Sequence, residues 1–218
     1  MIYSVSKKFD TNVSLTERSS SVMRMFGVTL ERLSESSITH YCQLEINDGD
    51  IVYITGPSGC GKSVLLNELE KMVPAAEKVN LSDIKLASDR TAVDCMPAGL
   101  DFLQALRLLS TAGLNDCLCI LNNPANLSDG QKWRFRLAMA LGAKKKFIFA
   151  DEFCSQLDRI TVAVISYNIH KFAKRYKVTF VLASSHEDIL ADLRPDVLII
   201  KELSGKTQII YKRRTANA

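Results

Sequence analysis

The sequence predicts an α/β protein on a mainly parallel sheet core, with antiparallel N-terminal strands and a further antiparallel pair at the C-terminal end. Three observations predict it. Strand-like and helix-like stretches alternate through the middle of the chain, which implies parallel strands joined by helical crossovers. The run FIFA, Phe147 to Ala150, is continuously apolar, as a strand covered on both faces is. Both ends instead carry paired strand patterns separated by short turn signals.

In chain order, IYSVSKKF reads as a strand, TERSSSVMRMFGV as a short helix or turn, and THYCQLEINDGDIVYIT as two strands joined by a turn at Asp48 and Gly49. DIVYIT then runs through a glycine loop into the helix KSVLLNELEKM. A strand is expected over Thr91 to Cys95, and a helix over about Leu100 to Ser110 with Leu103, Leu106 and Leu109 on one face. In NLSDGQKWRFRLAMAL, Ser128 caps a helix and Gln131 reaches back to it, a capping box. Trp133, Leu137, Ala140 and Leu141 form one apolar face of that helix, and Phe135 and Met139 a second, so it packs on more than one side. KFIFA, a long helix within SQLDRITVAVISYNIHKFAKRYK, the strand VTFVLA and a short helix from Glu187 follow. DVLIIKELSGKTQIIYK closes the chain as a hairpin turning at Ser204 and Gly205. Without a repeat, low-complexity segment or linker, residues 1–218 read as one domain.

The composition is that of an ordinary globular chain, 47% hydrophobic and 24% charged, and the net charge of +4 singles out no polyanion as partner. The triplet Lys144 to Lys146 reads as a solvated turn before a strand. Six cysteines, Cys42, Cys60, Cys95, Cys117, Cys119 and Cys154, lie in or beside apolar segments with no CxxC pair, and read as small buried hydrophobes in a reducing compartment. No signal-peptide core and no apolar run of roughly 20 residues occurs, so the expectation is a cytoplasmic protein whose membrane role, if any, comes through a separate subunit.

GPSGCGKS, comprising Gly56, Pro57, Ser58, Gly59, Cys60, Gly61, Lys62 and Ser63, fits G-x-x-x-x-G-K-[ST] between a strand and a helix, the signature of a P-loop NTPase. The glycines let backbone N–H groups curl around phosphate oxygens, Lys62 carries charge to the β- and γ-phosphates, and the Ser63 hydroxyl ligates Mg²⁺. Asp151 and Glu152 emerge at the carboxyl end of the FIFA strand, where open α/β sheets bind ligands. Asp151 is the candidate Mg²⁺ holder, and Glu152 the residue that orients and polarises the attacking water. His186, just past VTFVLA, is a third candidate, its imidazole placed near the γ-phosphate. The helix headed by Ser128 offers free N–H groups and a positive dipole end to an anion.

Together these pieces resemble the ATP-binding-cassette (ABC) ATPase superfamily over about Thr39 to Lys201. GPSGCGKS is similar to the Walker A loop, FIFADE to Walker B with its catalytic glutamate, SQLD ending at Asp158 to the D-loop, and His186 to the switch histidine. Leu127, Ser128, Asp129, Gly130 and Gln131 resemble the LSGGQ signature, with Asp129 in place of its first glycine. The resemblance implies that this signature acts in trans, sealing the ATP of a second copy, so that ATP glues two copies into a homodimer and hydrolysis releases them.

The chain also departs from the family pattern. Where the family has a glutamine after a strand midway between Walker A and signature, TAVDCM offers Asp94, a candidate water or Mg²⁺ ligand. The segment from there to Leu127 is short for a transporter ATPase, so the helical subdomain, about residues 97–141, is trimmed. Phe26 is the candidate adenine-stacking aromatic, with Tyr41 as the alternative. LTERSSSVMRMFGV with LSDGQKWRFRLA is similar to a branch of soluble ABC ATPases associated with acetyltransferase-like domains. The resemblance therefore implies a soluble, Mg-ATP-driven motor or switch acting on a protein or nucleic-acid partner. The alternatives are the nucleotide-binding subunit of a membrane transporter and an ATP-sensing scaffold with negligible turnover.

Overall fold

The computed structural model describes residues 1–8, 14–31, 39–186 and 188–212, with only the backbone of Lys8, Thr39 and His40. Strand β1 (Ile2–Lys8) pairs antiparallel with β2 (Thr39–Glu45), from Ile2 opposite Glu45 to Lys8 opposite Thr39. Helix α1 (Glu17–Phe26) lies between them in sequence, capped by Thr16, with no buried side chain. The main sheet is built from β3 (Ile51–Thr55), β4 (Lys78–Asn80), β5 (Phe147–Ala150), β6 (Thr179–Ala183), β7 (Val197–Lys201) and β8 (Thr207–Tyr211), in the order β4-β5-β6-β3-β7-β8. All its pairings are parallel except β7 with β8. The crossovers carry α2 (Lys62–Met72), α3 (Phe102–Thr111), α4 (Cys117–Leu121), α5 (Asp129–Gly142), α6 (Arg159–Tyr176) and α7 (Leu190–Leu193).

Two cores explain why β3, β5 and β6 are buried at every position. Alternate strand residues point to opposite faces. Ile51, Tyr53, Ile148, Ala150, Phe180 and Leu182 join Trp133, Phe135 and Leu137 of α5 and Ile165 and Ile169 of α6. Val52, Ile54, Phe149, Val181 and Ala183 join Leu65, Leu66 and Leu69 of α2 together with Val5 and Leu44 of the small sheet. Each layer removes its strand side chains from water, a gain of roughly 25 cal/mol per Å² of apolar surface. Trp133 and Phe153 meet edge to face at 5.5 Å, tying α5 to the chain just beyond β5.

Three expectations need correction. Thr91 to Cys95 is a turn, because the Thr91 hydroxyl bonds the Asp94 carboxylate and accepts from the Asp94 N–H, competing with strand pairing. The strand beside β5 is Lys78–Asn80 instead, too short for any period to reveal. In α3, Ala105 and Leu109 are buried while Leu103 is 61% exposed, so the apolar face is rotated from the expected one. The cysteines divide: Cys42, Cys60, Cys119 and Cys154 are buried, Cys95 is half-buried and Cys117 is exposed. The two strands flanking Asp48 and Gly49 form as expected but enter different sheets. The expected start of a short helix at Glu187 lies outside the described residues; α7 begins at Leu190.

Candidate functional site

The glycine loop leaves β3 and enters α2. Gly56 holds φ 144°, and a Cβ there would stand 2.2 Å from the Lys201 carbonyl oxygen, so only glycine passes this close to β7. Gly59 and Gly61 also hold positive φ, at 80° and 87°. Lys62 curls back and donates from Nζ to the carbonyls of Gly56 at 2.8 Å and Pro57 at 2.9 Å, which leaves one of its three N–H donors for a ligand. Pro57, Ser58, Gly59 and Ser63 are exposed, whereas Cys60 is buried beneath the loop. Helices α1, α3, α5 and α6 are capped by Thr16, Asp101, Ser128 and Asp158, but Gly61 gives α2 no side-chain cap. The orphan N–H groups of α2's first turn, at its positive end, fit a phosphate group.

The register brings two further segments to this edge. Ala150 pairs with Leu182, and Ile54 with Ala183, so the chain leaving β5, β6 and β3 emerges side by side at the carboxyl ends of three adjacent strands. Asp151 Oδ1 accepts the Glu152 N–H at 2.9 Å, which orients the carboxylate and leaves its second oxygen available. Glu152 and Cys154 hold left-handed φ values of 48° and 58°, costing about 1–3 kcal/mol each. The Phe153 N–H bonds the Ala183 carbonyl at 2.8 Å, which turns the Glu152 side chain out of the sheet into solvent. His186 is exposed while its backbone is clamped: the N–H donates to Ser184 Oγ at 3.3 Å and the carbonyl accepts from the Tyr53 hydroxyl. The sequence did not reveal these Tyr53 and Ser184 bonds, since Tyr53 reads as one more apolar strand position.

The head of α5 is built as its sequence predicts. Ser128 Oγ accepts the Gln131 N–H at 3.4 Å and Gln131 Oε1 accepts the Ser128 N–H at 2.9 Å, while the Gln131 amide also donates to Cys119 Sγ at 3.0 Å. Ser128 is exposed and Leu127 buried. Asp129 is exposed and lies 3.7 Å from Lys132. A Cβ on Gly130 would stand 3.1 Å from Leu157 and 3.2 Å from the Gln156 carbonyl, so the glycine lets the α5 head seat against the segment before Asp158. Asp158 caps α6, accepting from the Thr161 N–H at 3.0 Å and hydroxyl at 2.6 Å, and these bonds hold its carboxyl below the usual range. The serine-headed helix and the SQLD segment thus form one surface within a single copy.

For Mg²⁺, the free oxygen of Asp151 and the exposed Ser63 hydroxyl are hard donors of the right kind. Among the described residues no cluster of three or more His, Cys, Asp or Glu collects. Asp94 does not stand at a strand end, so the placement that made it a Mg²⁺ candidate is absent; its carboxylate accepts from the Thr91 hydroxyl. The residues that do leave the strand beside β5 are Leu81 to Asp83, where Asn80 Oδ1 accepts from Ser82. Phe26 is 76% exposed in the last turn of α1, and Tyr41 is 57% exposed on β2.

The family model described as "ABC transporter" matches residues 39–155. The sn-glycerol-3-phosphate import ATP-binding protein UgpC of Ruegeria sp. (strain TM1040) is 29% identical over 212 residues, which cover 81% of this chain and 59% of the relative. The chain therefore spans less than two thirds of that curated relative. The aliphatic sulfonates import ATP-binding protein SsuB of Yersinia pestis bv. Antiqua is 31% identical over 200 residues, 80% of this chain and 73% of that one. Among solved structures, the dimeric bacterial ABC transporter cassette MJ0796 superposes with a TM-score of 0.62 at 20% identity, covering 78% of this chain and 91% of that one. Its post-hydrolysis dimer bound to ADP and Pi gives 0.63 at 20% identity, with the same coverage. These structures share the mainly parallel fold described above.

Proposed function

The chain belongs to the ABC transporter family, and from that membership we propose that it is a Mg-ATP hydrolase that closes head to tail with a second copy around two nucleotides. The observation that carries this reading is the shared sheet edge, where the loops leaving β3, β5 and β6 bring Lys62, Asp151, Glu152 and His186 to adjacent strand ends. Gly56 to Ser63 cradle the phosphates, and the remaining Lys62 donor meets the β- and γ-phosphate oxygens. Ser63 and Asp151 hold Mg²⁺, which when bound neutralises charge on those oxygens. Glu152, turned outward by its left-handed backbone, orients and polarises the attacking water. His186, steadied by Tyr53 and Ser184, donates toward the γ-phosphate. Ser128 and the Gly130 N–H of one copy seal the γ-phosphate held by the other, supported by the exposure of Ser128 at a helix head. Residues 97–141 serve as the helical subdomain, and the cycle of closure and release drives a protein or nucleic-acid partner in the cytoplasm.

A second reading, the ATP-binding subunit of an importer, is favoured by one surface. Phe102, Leu103, Leu118 and Leu121 are each more than 60% exposed on the two short helices of that subdomain, and the curated relatives are import ATP-binding proteins. No helix among the described residues is long and apolar enough to cross a membrane, so on this reading the membrane-spanning part lies outside them. Phosphate release from Mg-ATP tests the first reading: the parent should turn over, and Lys62→Ala and Glu152→Gln should each lose at least about a hundredfold. Release by Lys62→Ala at the parent rate would remove the glycine loop from the chemistry. Mg-ATP-dependent co-purification with integral membrane proteins would favour the second reading.

A further inference from the structure

A cleft of about 550 Å³ opens on the opposite edge of the molecule, between α3, the ends of α5 and α6, and the turn 143–146. It lies at the amino ends of β5 and β6, away from the strand ends that carry Asp151 and His186. Its floor is apolar, with Leu108, Leu141, Phe172, Tyr176 and Val178, and Phe172 and Tyr176 have ring centroids 4.5 Å apart. Its rim carries Arg107, Lys144, Lys145, Lys146 and Lys177, and no acidic residue lines it.

Helix ends account for only part of this charge. Lys146 is neutralised by Glu77 at 2.8 Å, and the carboxyl ends of α5 and α6 contribute roughly half a negative charge each. The cleft is left with an excess of about three positive charges. Among the described residues, the side chains of Arg107, Lys144 and Lys177 have no ion-pair or hydrogen-bond partner, whereas Lys145 donates to the Ala76 carbonyl at 2.8 Å. Lys144 and Lys177 both hold left-handed backbone, φ 53° and 55°, where glycine is the unstrained choice after a helix. Both lysines follow helix carboxyl ends, which favour a cation, and both line the cleft. The triplet forms the exposed turn before a strand that its sequence suggests, and that turn also lines the cleft.

We propose that this cleft is a second binding site, for a small organic anion that carries an apolar body. Its volume is that of a small-molecule site. The apolar body lies on Leu108, Leu141, Phe172 and Tyr176, and the anionic group is met by Arg107, Lys144 and Lys177. The same chemistry is offered by a free acid and by an anionic lipid at a membrane surface.

The probe is 8-anilinonaphthalene-1-sulfonate, titrated by fluorescence into the full chain, with uncharged N-phenyl-1-naphthylamine as comparator. The proposal expects one saturable sulfonate site whose affinity falls about tenfold in the triple variant Arg107→Glu, Lys144→Glu, Lys177→Glu, and about threefold in Arg107→Gln alone. The neutral comparator should change less than about twofold, and salt raised from about 50 to about 500 mM should weaken only the sulfonate. Sulfonate affinity unchanged in both variants overturns the proposal, as does its stoichiometric displacement by Mg-ATP, which would place the probe at the glycine loop. Sedimentation with phosphatidylglycerol but not phosphatidylcholine vesicles, lost in the triple variant, assigns the anion to a lipid surface; absence of sedimentation with the sulfonate still bound assigns it to a free acid.

Discussion

Gly56→Ala tests the tightest contact in the nucleotide site. The added Cβ would lie 2.2 Å from the Lys201 carbonyl oxygen, whereas a carbon–oxygen contact relaxes near about 3.3 Å. About 1 Å of movement is therefore needed. Lys201 resists it, because β7 is paired on both sides, by β3 and by β8 opposite Thr207. The φ of 144° adds backbone strain of about 1–3 kcal/mol to an overpacking cost of similar size. A total near 4 kcal/mol is a large part of a typical stability of about 5–15 kcal/mol. At roughly 3 °C per kcal/mol for a chain of this length, Tm should fall by about 12 °C. Gly59→Ala is the control: its φ of 80° is strained but nothing lies within 4 Å, so only about 1–2 kcal/mol, or about 3–6 °C, is lost. Scanning calorimetry reads both. Equal losses in the two variants, or a Gly56→Ala Tm within about 2 °C of the parent, would refute the close approach between loop and β7.

Tyr53→Phe removes the hydroxyl that holds the His186 carbonyl, and should cost about 1 kcal/mol in urea unfolding. It should lower the rate of phosphate release more than it raises KM, because it loosens a positioning contact rather than a phosphate ligand; a larger effect on KM would contradict that role. His170 accounts for part of the pH dependence of stability. Burial pushes its pKa down and outweighs the opposing contact of its Nδ1 with the Leu193 carbonyl at 3.1 Å, so the folded state favours the neutral ring. The unfolded chain then binds more protons, and stability present above about pH 6.5 is lost as pH falls through the lower folded value. Tm measured from pH 7.5 to pH 5 should drop less steeply in His170→Gln than in the parent, and parallel curves would contradict the assignment.

The residues whose pattern is dictated by burial were legible in the sequence. FIFA and VTFVLA had to be strands covered on both faces, the spacing of G-x-x-x-x-G-K-S fixed a loop between strand and helix, and Ser128 with Gln131 announced a capped helix that forms with both bonds. What failed had local side-chain chemistry in competition with pattern. TAVDCM is expected to be a strand, yet the Thr91 and Asp94 side chains fold it into a turn. Lys78–Asn80 has only three residues between short 3₁₀ turns, too few for periodicity to show. The Tyr53 bond to His186 and the approach of Lys201 to Gly56 join residues 133 and 145 positions apart, which only the sheet order brings together.

The sealing of one copy's ATP by another copy's Ser128 is tested most directly by mass. Glu152→Gln at saturating Mg-ATP should scatter light as twice 24.3 kDa, and should return to one chain mass without nucleotide or when Ser128→Arg is added, with ATP binding to the glycine loop retained. A Glu152→Gln protein that stays at 24.3 kDa with ATP bound, or a doubled mass that survives Ser128→Arg, would contradict the account.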